Sequence, residues 1–383
     1  MNSRLTRSTL TLTLALCPLL TCFLFSQIPE KQAPEAKLWV LNSSQEDVQI
    51  VRLEVDGEKT PKKTLTPGND TIITATIGQK FLIVGKTSGL ELPVESKALH
   101  QGLRFDSDAK NGIPSFYTQR KEVSGFPIIG SAKVTPYALE EAAYIVQKML
   151  AQREDLLTAM ANSGARLCIF AHDEFTTDLP EFAHFADFAE EQIPGIKNKE
   201  FWDARARGTG GSITDPFCSC GEENLLGFPG DPYSTESIMV HEFAHNVHLR
   251  GMVNVDSTFD DRLQKAYRDA MEKGLWKDKY AATNHFEYFA EGAQSWFGNN
   301  RENDHDHNHV NTREELAEYD PALTKLCEEV FGDNDFVYTK PETRLTDHLK
   351  GYDPSKAPTF VWPERLLKAK KEIRRQALAA DAK

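Results

Sequence analysis

The sequence predicts an α+β fold in two parts: a small N-terminal β-sandwich, then a larger lobe in which helices and strands alternate. Three observations carry that prediction. Short apolar runs alternate with turn residues across 37–93, as in a sandwich. Helical periodicity begins at Tyr137 and is broken by a strand-like Arg166-Leu-Cys-Ile-Phe-Ala. His241-Glu242-Phe243-Ala244-His245 stands inside an apolar helical stretch, with Ile238-Met239-Val240 before it and Val247 and Leu249 after it.

Residues 1–26 have the character of an address. Arg4 and Arg7 precede an uncharged apolar run over 8–25, and Leu24-x-Ser26 offers a cleavage site. The expectation is a signal peptide and a secreted or periplasmic protein, with 8–25 as the sole membrane anchor if it stays uncleaved. In the sandwich, strands are expected at Leu38–Leu41, Val48–Val55, Thr71–Ile77 and Phe81–Val84, separated by Asp56-Gly57, Pro67-Gly68 and Gly78-Gln79. It contains no catalytic constellation and is expected to be dispensable for chemistry while offering a surface to a protein partner. Residues 94–123 are polar and weakly periodic, which suits a linker. The catalytic lobe is expected over 124–340, opening with one long helix from Tyr137 to Met160, and a C-terminal extension over 341–383. Arg207-Gly-Thr-Gly-Gly211 lacks the Lys-Ser or Lys-Thr of a phosphate loop and reads as a turn.

Composition bounds the partners. The net charge is −13, with 57 acidic against 44 basic residues, and no basic patch tracks a phosphate backbone. Nucleic acid is therefore excluded as a partner. Only the tail over 365–375 is basic, and it reads as a solvated helix. Four cysteines follow the leader, Cys168, Cys218, Cys220 and Cys327. In an oxidising compartment a bridge from Cys218 or Cys220 to Cys327 is the preferred pairing, with Cys168 a packed thiol.

The chemistry is concentrated at 241–245. Positions i and i+4 share one helix face, so His241 and His245 can grip one Zn2+ while Glu242 flanks its open position. A catalytic zinc wants a third protein ligand. A metzincin would place Gly and then His after the second His of the motif, but those positions hold His248 and Gly251. His248 lies along the same helix, where three ligands would splay, so it is assigned to packing or support. The third ligand is sought in 280–297, whose apolar residues recur with helical spacing around Glu287 and Glu291. These two carboxylates are one turn apart, so one can bind zinc and the other can orient a zinc-bound His.

At these residues the chain resembles the gluzincin metallopeptidases with a catalytic domain like that of anthrax lethal factor. That family pairs His-Glu-Phe-x-His with a later Glu-x-Phe-Ala-Glu, here Glu287-Tyr-Phe-Ala-Glu291. The resemblance makes Glu287 the ligand and Glu291 the orienter, and gives Tyr280, seven residues before Glu287, the role of oxyanion donor. It also places a substrate-pairing edge strand at 222–227. The sandwich resembles the β domain of the von Hippel-Lindau protein in Val55-Asp56-Gly57 and Thr64-Leu65-Thr66-Pro67-Gly68. The residues of that domain's ligand pocket are replaced here by Arg52, Lys62, Ala75, Gln79 and Phe81.

The expected activity is peptide-bond hydrolysis of peptide or protein substrates, with Glu242 as general base and a zinc-activated water as nucleophile. The rival from another class is a binding protein in which the sandwich recognises a partner and the zinc lobe is an idle scaffold. A zinc hydrolase of non-peptide amides or esters is a further alternative. His305, His307 and His309 read as part of a polar loop, with His309 the one that a following helix start could bring near the site.

Overall fold

Alternating burial along the first strands builds the sandwich. The computed structural model describes residues 34–380 apart from 110, 111 and 213, so the expected signal segment and anchor lie outside it. Seven strands come first: β1 (Glu35–Asn42), β2 (Val48–Leu53), β3 (Lys59–Leu65), β4 (Asp70–Thr76), β5 (Lys80–Gly85), β6 (Glu91–Glu95) and β7 (His100–Phe105). They form two sheets, ordered β4-β1-β7 and β3-β2-β5-β6. Strand alternation turns Leu38 and Val40 inward against Val48, Ile50, Phe81 and Ile83, the centre of a small core. Ala75 and Phe81 belong to this core, so two of the five positions aligned with the resembled ligand pocket cannot present side chains to a ligand.

The stretch expected as a linker is structured. β7 pairs in parallel with β1 and completes the first sheet. β8 (Tyr117–Val123) pairs antiparallel with β9 (Phe126–Ser131) and opens the second part of the molecule. β8 alternates between a solvated face and a covered one, which accounts for its polar composition.

A five-stranded sheet organises that second part. Its order is β11-β12-β10-β9-β8, with β10 (Arg166–Phe170), β11 (Gly208–Thr209) and β12 (Phe217–Gly221). β10 runs parallel to β9 and β12 and is buried along its whole length, as its unbroken apolar run requires. Residues 136–162 form two helices rather than one, α1 (Pro136–Met149) and α2 (Glu154–Asn162). α3 (Asn198–Arg205) and the single-turn α4 (Glu222–Leu226) follow. The edge strand expected at 222–227 is therefore absent; Glu222 to Leu226 are buried in α4.

α5 (Ile238–Asn246) passes through a π-helical turn, Val247–Met252, into α6 (Val253–Val255). α8 (His285–Trp296) packs against α5, α7 (Phe259–Glu272), α9 (Arg313–Tyr319) and α10 (Pro321–Phe331) pack in turn on α8, and α11 (Glu364–Ala380) packs on α3. Phe243, Ala244, Val247, Phe289 and Ala293 are buried at the centre of the largest core, each large side chain there contributing roughly 1.5–3 kcal/mol. Among the described residues no pair of cysteines is bridged: Cys168, Cys218, Cys220 and Cys327 are buried free thiols, which corrects the expected link to Cys327. They pack as small apolar residues within these layers.

The sandwich is joined tightly to the helical lobe. Gly102 N donates to Ser163 O at 2.9 Å, and His100 N donates to Asn254 Oδ1 at 2.8 Å. At Gly164, where φ is +83°, a Cβ would lie 2.1 Å from Gly102 O. Among the described residues no helix is long and apolar enough to cross a membrane.

Candidate metal centre

Two capped helices bring the site together. Ser237 caps α5, its Oγ accepting from Val240 N, and the helix continues through buried Val240, Phe243, Ala244 and Val247. Burial of that apolar stripe leaves His241 and His245 on a common face, ring centroids 5.0 Å apart. Tyr280–Ala282 is a separate 3-10 turn, and Asn284 then caps α8 by accepting from Phe286 N and Glu287 N at 2.8 and 2.9 Å. That cap sets Glu287 in the first helical turn, where the helix dipole favours a carboxylate.

α5 and α8 pack together, and three donor atoms converge between them. Glu287 Oε2 lies 3.0 Å from His241 Nε2 and 3.4 Å from His245 Nε2. Ligand atoms of His241, His245 and Glu287 all fall within 4.8 Å of one another, a grouping that can hold a metal ion. Two imidazoles and one carboxylate suit a divalent transition metal. Behind the triad, His241 Nδ1 faces Gln294 Oε1 at 2.9 Å and Glu291 Oε1 at 3.4 Å. A proton on Nδ1 shared with these oxygens leaves Nε2 free to bind a metal.

Glu291 is itself held. Asn300 Nδ2 donates to its Oε2 at 3.0 Å, and His307 Nε2 approaches the same oxygen at 3.4 Å. Burial raises its pKa, but hydrogen bonds from His241 and His307 outweigh that and lower it to about 2. Glu287 is likewise held well below the usual carboxylate range, burial being overcome by the two imidazoles. Glu242 differs. It lies outside the triad, only part of its side chain reaches solvent, and burial pushes its pKa up against the pull of His241, His245 and Arg205.

Tyr280 is half-buried, its ring centroid 6.0 Å from that of His241, and its N donates to Asp306 O at 2.8 Å. Burial pushes its hydroxyl pKa up, so it remains a hydrogen-bond donor at neutral pH. His241, Glu242, His245, Glu287 and Tyr280 all line one cleft of about 1100 Å³. The sandwich lines it too, through Trp39 and Asp70.

The edge of the five-stranded sheet runs beside this cleft, and the glycine run expected as a turn supplies it. Among the described residues, β11 pairs with β12 on one side only. A Cβ on Gly208 would lie 2.4 Å from Ile238 Cγ2, and one on Gly210 2.4 Å from His245 Cδ2, so only glycine permits this approach to α5. Arg207 anchors the strand from beneath: it is fully buried, pairs with Glu223 (Nη2 to Oε2, 3.0 Å) and stacks on Phe170.

Other histidines stay outside the triad. His248 Nε2 faces Asp260 Oδ1 at 2.9 Å, and the His309 ring packs on Tyr319 at 5.7 Å. His307, not His309, connects the 304–309 loop to the site; it is 4% exposed, and Asp304 Oδ1 accepts from both its N and its Nδ1 at 2.8 Å. Asp304, Asp306 and His307 form a second metal-capable grouping, but both of its carboxylates already pair with Arg301, at 3.4 and 3.3 Å. Gln294 and His307 are the two contributors that the sequence does not reveal. Gln294 is one turn past Glu291, so the helix spacing that exposed Glu291 could have signalled it. No family model matches the chain, and no curated protein matches it.

Proposed function

We propose that the protein is an exported zinc metallopeptidase of the gluzincin type. The observation that carries this reading is the convergence of His241, His245 and Glu287 beside a carboxylate, Glu242, that the metal grouping does not use. The motif pair His241-Glu-Phe-Ala-His245 and Glu287-Tyr-Phe-Ala-Glu291 adds the resemblance to that family. Zn2+ held by the three residues would activate water and polarise the scissile carbonyl.

The remaining steps belong to the chain. Glu242, its pKa raised by burial, takes a proton from the attacking water and returns it to the leaving amine. Tyr280 donates its hydroxyl proton in a hydrogen bond to the oxyanion as charge develops there. Glu291 and Gln294 orient His241 from behind. The free edge of β11 offers backbone groups to an extended peptide, the mode by which a strand joins a sheet. An idle scaffold would have no use for Glu242 beside both imidazoles, which disfavours the binding-protein alternative.

Metal analysis of the purified protein, followed by digestion of a peptide library, tests the reading. One zinc per chain and chelator-sensitive cleavage are expected. A protein that binds no zinc, or a zinc-loaded protein that hydrolyses only non-peptide amides or esters, would overturn it.

A further inference from the structure

The C-terminal half of β1 is apolar on both faces. Leu38 and Val40 point into the sandwich core, whereas Trp39 and Leu41, one residue out of phase, line the cleft that holds His241. Trp39 is anchored there by its Nε1, which donates to Asp70 Oδ2 at 2.5 Å. Its neighbour across the cleft is equally apolar: Phe185 packs on Trp202 with ring centroids 4.5 Å apart, and Phe188, 39% exposed, closes on Phe185 at 5.4 Å.

This aromatic shelf is fixed from three directions. Arg104 of β7 donates to Pro180 O, and Asp203 of α3 accepts from Thr177 N and Oγ1 at 3.0 and 2.7 Å. Arg365 of α11 holds Asp203 at 2.9 Å, and Asn198 Nδ2 holds Phe188 O at 2.7 Å. Rigid aromatic surface lining a cleft fits a ligand that brings apolar area.

We propose that Phe185 and Trp202, facing Trp39 and Leu41 of the sandwich, form a side-chain subsite for a large apolar residue of a peptide substrate, with an aromatic residue favoured. The sandwich is then a wall of the substrate cleft and not a remote module. The inference rests on the peptidase reading, because the occupant is a peptide drawn across the same cleft as the metal-capable triad.

The test uses the metal-loaded full chain and matched peptides that differ only in carrying Phe or Ala at each position in turn. Wild type is expected to prefer Phe at one position by roughly 10–100-fold in kcat/KM. In Phe185→Ala, Trp202→Ala and Leu41→Ser that ratio should collapse toward one, with metal content and melting temperature checked for each. Because Trp202→Ala also removes packing on α3, Trp202→Phe serves as a milder partner and should retain most of the ratio. Cleavage without apolar preference, or a preference that survives all three variants, overturns the subsite and leaves the peptidase standing. Binding of the same peptides to Glu242→Gln separates the remaining cases. If wild type cleaves nothing yet Glu242→Gln binds the Phe peptide more tightly through Trp202, the peptidase reading fails and the subsite holds; if neither cleavage nor binding occurs, both fall.

Discussion

His241 faces carboxylates on both sides, Glu287 at Nε2 and Glu291 at Nδ1, and this decides how the site responds to pH. Burial lowers its pKa, but the two carboxylates reverse that and raise it well above the ordinary imidazole value in the metal-free protein. The raised value stabilises the metal-free fold fully below the ordinary imidazole range, and that contribution fades as pH rises through the shifted value. A metal needs the neutral ring, so it must displace this proton. Metal uptake is therefore predicted to release protons and to weaken steadily from mildly alkaline to mildly acidic buffer. Competition against a chelating dye at each pH measures this, and a pH-independent affinity would mean that His241 is not a ligand. Tyr280 gives a second prediction at this scale. If its hydroxyl meets charge only in the transition state, Tyr280→Phe lowers kcat and kcat/KM together by on the order of 100-fold with metal content unchanged. A rise in KM alone would assign it to substrate binding. His241 and His245 are legible because a four-residue helical offset is a short-range property, and the same kind of spacing leads from Glu291 to Gln294. His307 is not, because it reaches Glu291 only through the fold of the 304–309 loop around Asp304.

The elements that carry the site depend on close backbone approach as much as on side chains. β11 presses against α5 so tightly that a methyl on Gly210 would overlap the His245 ring. Gly210→Ala is predicted to displace that imidazole, costing about 1–3 kcal/mol of packing and weakening metal affinity at least roughly tenfold while the sheet persists. Calorimetric titration with zinc, alongside circular dichroism to confirm the fold, would show it; unchanged affinity would mean that the strand and helix are free to separate. This is also where reading by sequence alone reached its limit. The glycine run looked like a turn, since two residues of strand leave no periodicity to detect. Glu222-Glu223-Asn224-Leu225-Leu226 looked like an edge strand, yet it is a buried helical turn because Glu223 is needed to pair with Arg207 beneath the true edge. The helix carrying 241–245 and the strand at 166–170 were plain, each being long or apolar enough to declare its period.

At the scale of the whole molecule, the α+β character and the succession of sandwich and helical lobe were foreseen, whereas their union was not. The polarity of 94–123 suits a linker between the two parts. Instead β7, within the presumed linker, lies against Ser163 and Asn254, and Trp39 and Leu41 face the same cleft as Glu242. Long-range contacts of this kind leave no local trace, because Gly102 and Gly164 are ordinary glycines until the fold brings them together. The cysteine pairing failed for the same reason in reverse: spacing allowed a bridge, but packing keeps all four thiols apart as free buried groups. What the assembled molecule is proposed to do depends on one carboxylate that is placed beside the metal grouping and not in it. Turnover of a single cleavable peptide by metal-loaded wild type and metal-loaded Glu242→Gln measures that most directly. The variant should keep its metal and its melting temperature and lose turnover by roughly 100-fold or more. Retained turnover in Glu242→Gln would contradict the proposed role of this residue and with it the mechanism.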